Sequence, residues 1–106
     1  MTAPRPIGEL RHRMILERAS SDAAGETSWT AVATVFAAIS PLAATETVAG
    51  AAPTGVTTHR IELRWRDDLT SRDRLRLADR LFRIVATHDL DERRRRLVVL
   101  AEEEGR

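Results

Sequence analysis

Nine consecutive residues constrain this chain more than any others. From Thr57 to Trp65, the residues Thr57, His59, Ile61, Leu63 and Trp65 alternate with Thr58, Arg60, Glu62 and Arg64. A period of two turns one set toward a core and the other toward water, which is the pattern of a half-buried β-strand and not of a helix. A strand needs partners to satisfy its backbone and cover its apolar face, so the remaining residues must supply them.

Several segments qualify. Between Leu10 and Glu17, Leu10, His12, Met14 and Leu16 alternate with Arg11, Arg13, Ile15 and Glu17, which predicts a first strand. Ser20 to Ser28 is rich in Ser, Asp, Ala and Gly, with Asp22 and Gly25 suited to a hairpin tip. Trp29 to Ile39 is ambiguous. Val32, Val35, Phe36 and Ile39 fit a helix face, whereas the β-branched content and the following Ser40-Pro41 fit a strand. Arg66 to Arg74 is crowded with charge and reads as a solvated loop. Leu81 to His88 and Leu97 to Glu102 flank the polar turn Asp89 to Arg95 as a hairpin, with a short strand at Leu75 to Leu77 before it. A helix with Ala78, Leu81, Phe82 and Val85 on one face is the rival reading there. Five or six short strands make the chain all-β, a small antiparallel β-barrel or sandwich. Its expected core is Leu10, Met14, Phe36, Ile61, Leu63, Phe82, Ile84 and Val99.

Two segments stand apart. Thr2 to Gly8 contains Pro4 and Pro6, which cannot donate backbone hydrogen bonds, so residues 1–8 read as an extended N-terminal arm. Residues 43–57 form a long loop between the second and third main strands. The loop is small, polar and longer than the usual connection inside a compact domain, which points to function or disorder. At 106 residues the chain is expected to be a single domain.

The composition narrows the chemistry. There is no cysteine, so disulfides and thiolate metal sites are excluded, and three scattered histidines do not make a zinc motif. No stretch approaches the roughly 18 apolar residues of a membrane span, and the opening residues lack the apolar centre of a signal peptide. A cytoplasmic origin with no membrane partner is the expectation. The net charge is only +1, so the whole-molecule field does not announce a nucleic-acid binder. All 17 basic residues are arginine, which with the abundant alanine fits the codon bias of a GC-rich genome better than selection for forked hydrogen bonding at interfaces.

Motifs of catalysis are missing: there is no Gly-rich phosphate loop, no nucleophile elbow and no His-Glu helix motif. Asp67-Asp68 and Asp89 with Asp91 are candidate cation ligands, but each sits where Asp commonly caps a turn. His12, His59 and His88 lie on three predicted strands and could meet across a sheet. Glu102, Glu103 and Glu104 read as a solvated tail, or as a pairing surface for a neighbour's arginines. The sharpest charge feature is Arg93-Arg94-Arg95-Arg96. It offers bidentate bonds to phosphate or a contact between subunits, although no stacking aromatic is interleaved and a solvated turn balanced by Asp89, Asp91 and Glu92 is the plainer reading. No catalytic, cofactor-binding or metal-binding residue is assigned, and no cofactor is expected.

The order of these features resembles a known family. Ile7-Gly8-Glu9-Leu10-Arg11-His12-Arg13 leads a strand, and a polar tip precedes Trp29 and the run Val32 to Leu42. Thr58-His59-Arg60-Ile61 with Arg64-Trp65-Arg66 follows, then Phe82-Arg83-Ile84, a polar turn and Arg96-Leu97-Val98-Val99-Leu100. From Ile7 to about Glu103 this resembles the phage head-tail joining proteins, the head-closure, stopper or adaptor components of tailed phages and gene transfer agents. The resemblance implies a small β-barrel, so it favours strands over helices at Trp29 to Ile39 and at Ala78 to Val85. It further implies a structural, non-enzymatic role in a ring of identical subunits that joins the portal-adaptor assembly to tail or tail-terminator proteins. The implied setting is the cytoplasm of a bacterial host during assembly, then the neck of the virion or phage-like particle, around packaged double-stranded DNA. In some relatives the long loop closes the channel; its candidates here are Thr45, Glu46, Thr47, Val48, Gly50, Pro53, Thr54 and Gly55. Family members often carry Asp-Gly or Gly-Gly before the Phe-Arg-Ile strand, where this chain has Ala78-Asp79-Arg80. Two readings compete with the ring: a small barrel that binds nucleic acid through the Arg93 to Arg96 turn, and a small hydrolase whose carboxylates or histidines converge in a pocket.

Overall fold

The computed structural model describes residues 9–42 and 58–104. Its strands are β1 (His12–Ser21), β2 (Thr27–Pro41), β3 (His59–Arg64), β4 (Asp73–Leu77), β5 (Arg80–Leu90) and β6 (Arg96–Glu104). All pairings are antiparallel, and the order β1-β2-β3-β6-β5-β4 closes on itself as a barrel. The all-β expectation therefore holds, as a barrel and not a sandwich. Both helical readings fall, because Trp29 to Ile39 lies inside β2 and Leu81 to Val85 inside β5. The first strand starts and ends later than its alternation suggested, although Leu10 just before it is buried.

Alternation places Met14, Leu16, Val35, Ala37, Ile61, Leu63, Leu75, Phe82, Ile84, Leu97, Val99 and Ala101 in the interior. Burying a side chain of Leu, Ile or Met size contributes about 1.5–3 kcal/mol, and these residues dominate the stability. Seven of the eight expected core residues are buried. The exception is Phe36, which is 54% exposed. Val35 pairs with Met14 and Ala37 with Leu63, so the pleat turns Val35 and Ala37 inward and Phe36 outward. A helical grouping had put Val35 and Phe36 on one face, which a strand cannot do.

A β-bulge shapes β2. Leu16 pairs with Ala33 and Glu17 with Ala31, which leaves Val32 as the extra residue. Trp29 and Phe36 are an odd number of positions apart and would point to opposite faces of a regular strand. The inserted residue shifts the parity, so both lie on the outer face.

Three acids are buried where the sequence suggested solvent. Glu17 takes hydrogen bonds from Arg74 Nε at 2.7 Å and Arg76 Nε at 3.0 Å, across the β1–β4 seam. Asp73, expected in a solvated loop, is 1% exposed and accepts from Arg18 Nε at 3.0 Å, Arg18 Nη2 at 3.2 Å and the Thr70 amide at 3.1 Å. Glu62, on the predicted polar face of β3, is fully buried beside Arg60 at 3.4 Å and Arg96 at 3.5 Å. An isolated carboxylate could not be buried in these places; the arginines make it possible. The turn from β4 to β5 is also irregular for its sequence. Ala78 has φ 54°, the left-handed conformation that glycine adopts at no steric cost.

The outcome for the two phenylalanines follows from their faces. Phe82→Ala should lower unfolding free energy by about 3–5 kcal/mol, whereas Phe36→Ala should change it by no more than about 0.5 kcal/mol. Denaturant titration of both variants checks this, and equal losses would show that the register of β2 is wrong.

Acid should act through Glu17. Burial by itself raises that carboxyl, but the hydrogen bonds and charges of Arg74 and Arg76 outweigh it and hold the group below the usual carboxylate range. The unfolded chain therefore binds this proton more readily than the folded one. The stabilisation is complete above the unfolded pKa of about 4.3 and is lost as pH falls through the lower folded value. Glu17→Gln should cost about 1–3 kcal/mol at neutral pH and flatten the decline in melting temperature on acidification. An unchanged acid profile in the variant would show that the seam carboxylate does not govern it.

Candidate assembly surfaces at the two rims

Antiparallel connection sorts the loops onto two rims. The β1–β2, β3–β4 and β5–β6 connections leave one rim, and the β2–β3 and β4–β5 connections leave the other. The sequence-predicted candidates are therefore separated. The long loop roots on one rim and the arginine turn projects from the opposite one.

The roots of the long loop are clamped. The Leu42 amide donates to the Thr58 carbonyl at 2.9 Å, and the Thr58 amide donates to the Ala101 carbonyl at 2.8 Å. The Thr58 hydroxyl adds contacts to the Ala101 carbonyl at 3.3 Å and to the Glu103 amide at 2.8 Å. Leu42 packs on a second apolar cluster, Leu90, Val98 and Leu100 with Ala86, on the outside of the barrel wall. The gating candidates Thr45, Glu46, Thr47, Val48, Gly50, Pro53, Thr54 and Gly55 lie outside the described residues.

His59 braces the same root. Its ring meets Phe82 edge-on at 5.2 Å between centroids, and its Nδ1 lies 2.9 Å from the Thr58 hydroxyl. Burial lowers its pKa, Arg80 pushes the same way, and nearby Glu103 at 3.9 Å only partly opposes them. His12 is exposed at the start of β1 and His88 lies on β5. Among the described residues no group of three or more His, Asp or Glu is placed to hold a metal ion. The acidic end of the chain is not a solvated tail: Glu102 and Glu103 belong to β6 and are held by Arg83 at 2.9 Å and by Arg80 at 2.9 and 3.0 Å. Their strand position opposite β5 is what brings those arginines within reach.

On the other rim the arginine run divides. Arg93, Arg94 and Arg95 are exposed on the turn, while Arg96 lies in the wall beside Glu62. The turn is unusual: Asp91, Glu92 and Arg94 have φ of 65°, 56° and 56°, the left-handed region, with no glycine among them. The Asp89 carboxylate holds this shape by accepting the Arg94 amide at 3.0 and 3.2 Å, and its carbonyl accepts the Glu92 amide at 3.1 Å. Asp89 thus acts as a turn cap. Asp68 is held by Arg66 at 3.0 and 2.8 Å, and this bond, with Arg66's charge, keeps its pKa low against the effect of burial.

The same rim carries a feature that residue-by-residue reading missed. The hairpin of β1 and β2 continues past the barrel, and its outer face exposes Trp29 (38%), Val32 (41%) and, where it meets the wall, Phe36. The Arg74 guanidinium stacks over the Trp29 ring at 4.0 Å and so fixes it in place. β2 pairs with β3 from Ala37 to Pro41 and with β1 from Thr27 to Ala37, so only Ala37 has a partner on both sides and Thr27 to Phe36 pair with β1 alone. A detectable signal existed: β2 has no charged residue over its whole length, in a chain that is 31% charged.

Comparison with known proteins agrees with this geometry. None of the curated proteins matches the chain. Among solved structures, the solution structure of protein SF1141 from Shigella flexneri 2a is similar at 25% identity with a TM-score of 0.72, covering 95% of this chain and 98% of that one. A chain from the virion of a native gene transfer agent particle is similar at 25% identity with a TM-score of 0.64, covering 88% and 94%. The pattern that defines the phage head completion proteins matches residues 5–104. The chain belongs to the phage head completion protein family.

Proposed function

We propose that this phage head-tail structural protein is a single head-tail joining barrel domain, residues 1–106, that forms a homo-oligomeric ring between the portal-adaptor assembly and tail or tail-terminator proteins. It helps to close the channel for packaged double-stranded DNA and performs no catalysis. It is made in the bacterial host cytoplasm and then resides in the neck of a virion or of a particle like the gene transfer agent that its structural neighbour comes from. The observation that carries this reading is the clamp at Leu42, Thr58 and Ala101. It lets residues 43–57 leave and return at one point on the rim, so the loop can serve a channel without disturbing the barrel. Gly50 and Gly55 permit unusual backbone angles, Pro53 stiffens one limb, and Thr45, Thr47 and Thr54 offer hydroxyls beside Glu46 and Val48. Short side chains suit close packing around a symmetry axis.

The second reading, a nucleic-acid contact through Arg93, Arg94, Arg95 and Arg96, is favoured by the exposure of the first three. Steeply salt-dependent binding of free duplex DNA by the purified chain would support it.

The loop separates folding from function. A variant lacking Glu46 to Pro53 should melt cooperatively near the parent temperature, because shortening a loop changes closure entropy only slightly. Particles built with it should leak DNA or fail to join tails. Parental DNA retention and tail yield would remove the gating role.

Assembly should depend on a template. The purified chain should be monomeric or weakly associating by sedimentation, and should form rings when the portal-adaptor assembly is supplied. Stable rings in dilute solution at high salt would contradict this.

A further inference from the structure

The β1–β2 hairpin and the β5–β6 turn leave the same rim three strand positions apart, which is half of a six-stranded circumference. Their surfaces are complementary. The hairpin from Ala19 to Thr34 has only two charges, Asp22 and Glu26, both acidic and exposed at its tip, and it also exposes Trp29 and Val32 along β2. The turn holds three consecutive exposed arginines on a backbone shaped by left-handed residues. Among the described residues neither Glu26 nor Arg93, Arg94 or Arg95 has an ion pair within the chain, whereas most other arginines of the barrel wall do.

We infer that the arginine turn of one copy docks on the β1–β2 hairpin of the next, at its acidic tip and its exposed aromatic face. Arg93, Arg94 and Arg95 meet Glu26, Trp29 and Val32 there. Arginine suits both partners, since it pairs with carboxylates and stacks on aromatic faces, as Arg74 already does on Trp29 within the chain. Two different patches on opposite sides of one molecule make a head-to-tail contact, the kind that closes into rings, whereas a patch meeting itself would stop at a dimer. The bulge at Val32 disfavours the alternative of two β2 edges zipping together, because it interrupts the ladder such pairing would need. The proposal rests on the ring reading and specifies its contact. It also commits the arginines to protein and not to DNA.

The absence of native cysteine allows a direct test. Glu26→Cys and Arg94→Cys chains, each with one thiol, are mixed at high concentration and oxidised. Both sites are exposed on turns, and circular dichroism confirms that each variant is folded. The mixture should give about tenfold more disulfide-linked dimer than either variant alone, and a chain carrying both substitutions should give a ladder of higher oligomers. Dimers from Glu26→Cys alone, or from Arg94→Cys alone, at the yield of the mixture would overturn the head-to-tail contact. So would a mixture yielding no more dimer than the single variants. Loss of duplex DNA binding on Arg93→Glu, with no cross-linking preference in the cysteine mixture, would assign the turn to nucleic acid instead. The ring reading fails separately: it falls if purified particles contain one copy of the chain, whatever the cysteines report.

Discussion

Four residue pairs close this protein. Ile15 to Arg18 of β1 pair with Asp73 to Arg76 of β4, and without that ladder the sheet would be open, with β1 and β4 as its edges. The seam is short, yet ion pairs reinforce it on both sides: Glu17 with Arg74 and Arg76 on the outer face, and Asp73 with Arg18. Once the barrel is closed, the interior is defined and Phe82 can be enclosed completely. The rims then follow, because each antiparallel turn must fall on one end or the other.

Arginine does the same physical work in many places. The barrel buries carboxylates on its wall and covers each with one or two guanidinium groups, whose planar fork can reach two oxygens and whose alkyl stem lies along apolar surface. This explains how a small, heavily charged chain builds a barrel with few aromatic side chains. It also makes Arg93, Arg94 and Arg95 of the β5–β6 turn stand out, since among the described residues they balance no buried acid.

The sequence made some of this legible and concealed the rest for identifiable reasons. The alternation at Ile61 and Leu63 and the hairpin around Asp89 to Arg95 were readable because they depend on neighbours in the chain. Phe36 was misplaced because Trp29 to Ile39 supports two periods, and only the pairing of Val35 with Met14 decides between them. Asp73 and Glu62 looked solvated because their partners, Arg18 and Arg96, are distant in sequence and meet them only across strands. Glu102 and Glu103 were hidden by the same distance from Arg83 and Arg80. The arginine turn could be found from composition alone. The Trp29 and Val32 surface could not, since it depends on one unpaired residue in the middle of β2.

That single residue has an evolutionary consequence. The bulge uncouples the outer hairpin from the barrel: adding or removing one residue between Thr30 and Thr34 would reverse the face that Trp29 presents, while the register of Val35 and Ala37 with the core stays as it is. A lineage carrying this barrel can therefore exchange the chemistry its arm offers by a one-codon change in length, without passing through an unfolded ancestor.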